Sequence, residues 1–168
     1  MGNGRSGTSG TNVTYALFHG SPSTDIEEFD ITKAGENTDS GEKLLFFTDS
    51  KSVADEFSYE RLESSKSMFL NEKGKKGKIY EVDVTMKKPL DLTNPTKTDI
   101  QNLIKLSNGE LDENMIIQFS KGNNQLLKSY IDLNNITKFG YDGIIAKMNK
   151  KGDKEYAVVS SKQVKIKR

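Results

Sequence analysis

"LFFTDSKSVADEF", residues Leu45 to Phe57, changes its period part-way along. Leu45, Phe46, Phe47 and Thr48 form an apolar run too short for a helix, as a buried strand requires. Asp49 or Ser50 can cap the next segment, because a short oxygen-bearing side chain there accepts from the first free backbone N–H groups. Val53, Ala54, Phe57 and Arg61 then recur at helical spacing. The stretch therefore predicts a strand handing directly to a helix within residues 49–65.

The flanking sequence supplies partners for that unit. "VTYALF" (13–18) reads as a strand ended by a turn at His19-Gly20-Ser21-Pro22. "NEKGKKGK" (71–78) reads as a basic, glycine-containing loop carrying Lys73, Lys75, Lys76 and Lys78. "KIYEVDVTM" (78–86) sets Ile79, Glu81 and Asp83 against Tyr80, Val82 and Val84, the alternation of a half-buried strand. "KKPLDL" continues as an edge segment, since Pro89 cannot donate to a central ladder. Residues 96–138 carry apolar side chains at three- and four-residue spacings, interrupted by Gly109 and Gly122. They predict two or three short helices with Asp99 and Asp112 near their first turns. "YDGIIAKM" (141–148), "EYAVVS" (155–160) and "QVKIK" (163–167) close the chain as three short strands. This order of elements is α+β and lacks regular βαβ alternation.

Composition narrows the chemistry. The 168 residues include no cysteine and one histidine, His19, which excludes disulfides, thiolate catalysis and histidine or cysteine metal clusters. Only a carboxylate site for a hard cation remains open on the metal side, and no metal is expected. The net charge of +1 exerts no global pull toward nucleic acid or membrane. No apolar window approaches the length of a membrane span, and "MGNGRSGTSGTN" lacks the apolar stretch of a secretory signal. Its start fits an N-myristoylation pattern loosely, but its composition is that of a flexible tail or linker. The expected organisation is a tail over 1–12 and one domain over 13–168. A monomer in the cytoplasm of the producing or target cell is expected.

Three pieces gain meaning together: "LFHGS" (17–21), "LFFTDSKSVADEF" (45–57) and "KEYAVVSSKQVKIK" (154–167). Taken singly, His19 is a surface turn residue and Glu155 a solvated strand charge paired with a neighbouring lysine. Likewise, Phe46-Phe47 taken alone is core packing with one ring in and one out. Taken in order, the pieces resemble the three motif strands of the ADP-ribosyltransferase superfamily, on its diphtheria-toxin/poly(ADP-ribose) polymerase (His-Tyr-Glu) branch. "LFHGS" is similar to the His-Gly-Ser/Thr motif, and the second piece resembles a stretch reading roughly "IYFADxxxxSANY". The third resembles "NEYIVYDxxQV". Small phage and toxin-associated transferases of this branch often carry a "YDGI" strand before the glutamate strand, as at 141–144 here. The resemblance leaves 96–138 uncovered.

The resemblance implies a split β-sandwich of two small, mainly antiparallel sheets with flanking helices, and NAD as co-substrate. It implies Glu155 and His19 as the catalytic pair, with Glu155 stabilising an oxocarbenium-like centre at the nicotinamide ribose and His19 holding the adenosine ribose. Gly20 would offer its backbone to the carboxamide, Ser21 would add a hydrogen bond, and Phe46 and Phe57 would sandwich the nicotinamide ring. Phe47 takes the first aromatic role if the strand register differs by one. Phenylalanine stands at both aromatic positions where the family has tyrosine, which keeps stacking and loses a hydroxyl hydrogen bond of about 1 kcal/mol each. Asp153, two residues before Glu155, is either a solvated turn acid or a hint toward a nitrogen acceptor. "KMNKKGDK" lies on the expected acceptor side.

The activity implied is transfer of one ADP-ribose to a macromolecule, a protein in preference to a nucleic acid. Poly-chain elongation is disfavoured, because a polymerase's additional helical and acceptor elements have no room. The Lys-, Asn- and Ile-rich usage fits an A+T-rich bacterial or phage genome, and hence a toxin, effector or host-modifying factor. Two alternatives stay open: a non-catalytic NAD- or partner-binding module on the same fold, and an NAD glycohydrolase with water as acceptor.

Overall fold

The structure, a computed structural model, describes residues 12–33, 43–61 and 73–168. Most of the tail expected over 1–12, the stretch past Arg61 and the start of "NEKGKKGK" lie outside the described residues.

Strand β1 (Val13–Ser21) pairs antiparallel with the long strand β5 (Lys78–Met86) over its whole length, from Val13↔Met86 to Ser21↔Lys78. The alternation read in β5 is the observed one: Tyr80, Val82, Val84 and Met86 are buried. β1 is longer than its apolar run. His19, Gly20 and Ser21 were expected in a turn, yet they continue the strand because Tyr80, Ile79 and Lys78 offer them ladder partners. The strand stops at Pro22, which has no N–H to give. Strand β9 (Val164–Ile166) lines the other edge of β5.

Strands β2 (Leu45–Thr48), β6 (Pro89–Asp91), β7 (Gly143–Lys147) and β8 (Lys154–Val158) make a second group. The seven strands run in the order β9-β5-β1-β2-β8-β7-β6. The two groups meet at one paired position, Phe18↔Thr48. In place of the expected two small sheets, both groups belong to one seven-stranded sheet joined at that pair, in an α+β fold. β6 is at the edge and runs parallel to β7, as its proline allows.

Helix α1 (Lys51–Phe57) follows β2 at once, capped by Ser50, whose Oγ accepts from the Val53 N–H at 3.3 Å. It ends sooner than the spacing out to Arg61 suggested. Ser58 Oγ donates to the Asp55 carbonyl at 2.6 Å and the Ser58 carbonyl accepts from Gly77 at 2.6 Å, so the last turn closes against another segment. The chain then forms β3 (Tyr59–Arg61), paired with β4 (Lys73–Lys76) as a separate two-stranded sheet. The basic segment expected as a loop is therefore partly strand. Its backbone groups pair across the hairpin although its side chains carry no apolar pattern.

Residues 96–138 form α2 (Lys97–Leu106), α3 (Glu113–Lys121), α4 (Asn124–Ser129) and a 3-10 turn (Leu133–Phe139). Thr96 and Asp99 make a capping box on α2, and Asp112 caps α3. Leu103, Leu106, Ile116, Leu127 and Ile136 from this layer pack on Ile144, Ala146 and Ala157 of one sheet face. The opposite face carries Leu17, Phe29, Phe47, Tyr80, Ile145 and Tyr156. Covering on both sides explains the unbroken apolar run Ile144-Ile145-Ala146, which an alternating strand would lack. Among the described residues no helix is long and apolar enough to cross a membrane.

Candidate active site at the seam between β1, β2 and β8

The register of β2 on β8 orders the site. Thr48 faces Glu155, Phe46 faces Ala157, and Phe47 faces Tyr156. Side chains alternate along a strand, so Phe46, Thr48 and Glu155 share the helix-covered face while Phe47 and Tyr156 point the other way. Phe47 is 2% exposed and its ring packs on Phe29 at 5.3 Å. It is a core residue on the face opposite Glu155.

Glu155 is 8% exposed, yet it is not an orphan charge. Its Oε1 accepts from Lys128 Nζ at 2.5 Å and from Gln125 Nε2 at 2.8 Å. The same Gln125 amide donates to the Lys147 carbonyl at 2.8 Å, which ties the carboxylate to β7. Both partners come from α4, the layer to which the sequence assigned no role. Their one traceable signal is the three-residue spacing that sets Gln125 and Lys128 on one side of a helix. Lys128 also lies over the Phe46 ring, 5.3 Å from its centroid.

His19 stands on the other side of Phe46. Its Nδ1 bonds the Phe46 carbonyl at 2.9 Å, and since a carbonyl only accepts, Nδ1 carries the proton and Nε2 is left as an acceptor. The ring packs edge-on against Phe29 at 4.8 Å and tilted against Phe47 at 5.4 Å. Burial lowers its pKa, against a smaller upward pull from the Phe46 carbonyl. His19 thus belongs to the Phe47 face and Glu155 to the helix face. Phe46 is what joins them, giving its carbonyl to His19 and its ring to the lysine that holds Glu155.

Gly20 permits a close approach, but the neighbour in the structure is protein. A Cβ at this position would stand 1.7 Å from the Ala54 carbonyl oxygen of α1. Ser21 ends β1, where its Oγ accepts from the Ser23 N–H at 3.1 Å. Phe57 closes α1 and is 51% exposed, a large ring left open to solvent. Asp153 is occupied in the β7–β8 turn, where its Oδ2 accepts from Asn149 Nδ2 at 2.9 Å and its carbonyl from the Met148 N–H at 2.7 Å. Among the described residues no group of three or more His, Cys, Asp or Glu is placed to hold a metal ion.

A seam of this kind sets a carboxylate and an aromatic ring on one face of the sheet, with an imidazole on the other face bonded to the backbone carbonyl of the residue that carries the ring. A family model described as "ADP-Ribosyltransferase in polyvalent proteins" matches residues 13–167. The chain belongs to that ADP-ribosyltransferase family. Its members take NAD as substrate, and the three motif strands of this transferase-family chain all fall inside the match. No curated protein matches the chain. A solved structure entitled "Crystal structure of an anti-CRISPR protein" is similar at 15% identity, with a TM-score of 0.45, over 92% of this chain and 96% of that one.

Proposed function

We propose that the protein is a mono-ADP-ribosyltransferase of the His-Tyr-Glu branch. It takes NAD, breaks the bond between nicotinamide and ribose, and passes one ADP-ribose to a macromolecule. The observation that carries this reading is the position of Glu155, a buried carboxylate opposite Thr48 and one step along the sheet from Phe46.

The chemistry asks for little more. As the bond from nicotinamide to the ribose C1′ lengthens, its electron pair leaves with nicotinamide and positive charge develops on the ribose. A fixed carboxylate beside that carbon stabilises the charge, as carboxylates do in glycoside hydrolysis. Glu155 has this role, and an incoming nucleophile then bonds to C1′ and loses its proton. Phe46 and Phe57 supply ring faces for nicotinamide, with Phe57 the open one. His19 keeps Nε2 free to accept from a ribose hydroxyl because Nδ1 is already committed to Phe46. It is a binding residue and no general base. A protein acceptor is favoured over a nucleic acid, because the net charge of +1 offers no pull on a polyanion. A toxin, effector or phage host-modifying role is the setting we infer.

The test is incubation with labelled NAD and a cell lysate, for the wild type and Glu155→Ala. Label on a macromolecule and free nicotinamide from the wild type, both lost in the variant, are the expected results. Nicotinamide without macromolecular label would make the protein a glycohydrolase. Binding of NAD with neither product would leave a non-catalytic module.

A further inference from the structure

Lys128 touches both groups that the NAD reading needs, and this inference rests on that reading. Its ammonium is 2.5 Å from Glu155 Oε1 and 5.3 Å from the Phe46 ring centroid. A carboxylate and an aromatic face are the two partners a cation prefers in a partly dry site. The oxidised nicotinamide ring of NAD is itself a cation, and breaking its bond moves that charge to the ribose. The lysine and the substrate therefore ask for the same contacts with the same sign of charge.

We propose that Lys128 determines affinity and specificity at this site: it occupies the place of the substrate's positive charge and must leave for NAD to bind. Three features make the side chain, and not the helix, the moving part. α4 is anchored by Leu127, fully buried, and by Asn124, whose amide donates to the Phe119 and Ser120 carbonyls and whose Oδ1 accepts from the Lys147 N–H. Glu155 keeps Gln125 when the lysine departs, so the carboxylate stays aimed. A groove of about 430 Å³ opens beside Lys128, lined also by Asp132 and Asn134, and offers a flexible four-carbon stem both room and a carboxylate to face. Because the competition is between cations, Lys128 discriminates against oxidised NAD more than against the reduced form, whose nicotinamide ring is neutral.

The measurement is the dissociation constant of NAD and of NADH for the wild type, Lys128→Met and Lys128→Arg, with thermal melts of each. Lys128→Met is expected to bind NAD about tenfold more tightly, to gain less for NADH, and so to raise the NAD-to-NADH preference. Lys128→Arg keeps the cation and should stay within about twofold of the wild type for both. Lys128→Gln replaces the methionine variant if that chain does not fold, with the same expected direction. Wild-type binding of NAD with unchanged or weaker affinity in the methionine or glutamine variant would overturn the latch and leave the NAD site standing. Equal gains for NAD and NADH would overturn the cation argument. No binding of NAD by any form would overturn the site itself and the latch with it.

Discussion

Gly20→Ala adds one methyl group to β1 where the backbone of α1 already lies. The new Cβ would stand 1.7 Å from the Ala54 oxygen, 2.7 Å from the Ala54 carbon and 3.1 Å from the Ser58 nitrogen. None of these atoms is the end of a flexible side chain, so α1 must retreat by more than about 1 Å or β1 must bend. Overpacking of this kind costs about 1–3 kcal/mol, and a clash with main chain belongs at the upper end. For a chain of this size, about 3 kcal/mol corresponds to a melting temperature lowered by about 6–12 °C. The retreat also carries Phe57, at the end of α1, away from the seam, so NAD affinity should fall together with stability. Thermal melts by circular dichroism, without and with NAD, separate the two effects. A glycine kept only for ligand approach would leave the ligand-free melt unmoved. An alanine variant melting within about 2 °C of the wild type would refute the claim that α1 rests on Gly20.

The geometry sets three further outcomes. His19 is held below its ordinary pKa by burial, so the unfolded chain takes up the proton first as pH falls below about 6.5. The stability it contributes is present above that pH and lost as pH drops toward the folded pKa, by at most about 1.4 kcal/mol per pH unit. Urea titrations of His19→Gln should show a flatter dependence as pH falls below about 6.5, and an unchanged slope would sink the assignment. Gln163 accepts from the Val159 and Ser160 N–H groups and donates to the Thr85 and Asp142 carbonyls, so Gln163→Ala should cost about 2–4 kcal/mol in a denaturant melt. A loss under about 1 kcal/mol would mean that these bonds are replaced by water. Phe57→Tyr, on an exposed ring, should leave stability within about 0.5 kcal/mol and tighten NAD about fivefold, whereas Phe57→Ala should weaken it; equal affinity in all three would remove Phe57 from the site.

Much of this protein is readable from its sequence. The period of two in "KIYEVDVTM", the Ser50 cap and the proline at the sheet edge are local signals with local causes, and each survives in the structure. One plain reading also holds, Phe46-Phe47 with one ring to each face, whereas Glu155, not solvated beside a neighbouring lysine, is buried and paired with a distant one. That lysine is Lys128, 27 positions away, and no sequence period points from α4 to β8. The strand through His19-Gly20-Ser21 was hidden for the same reason, since a glycine followed by serine and proline signals a turn unless a long partner strand lies alongside. Gln163, met only as a letter in a motif, proves to be a clamp between segments distant in sequence. Sequence by itself determined most of the elements, the α+β class and the three strands that carry the family resemblance, because these depend on neighbours within a few residues. Tertiary structure alone decided which Phe shares a sheet face with Glu155, that His19 and Glu155 meet only through Phe46, and that Lys128 touches both Phe46 and Glu155. Those relations depend on strand register and on where one helix lies across the sheet, and neither is written in any local stretch of the chain.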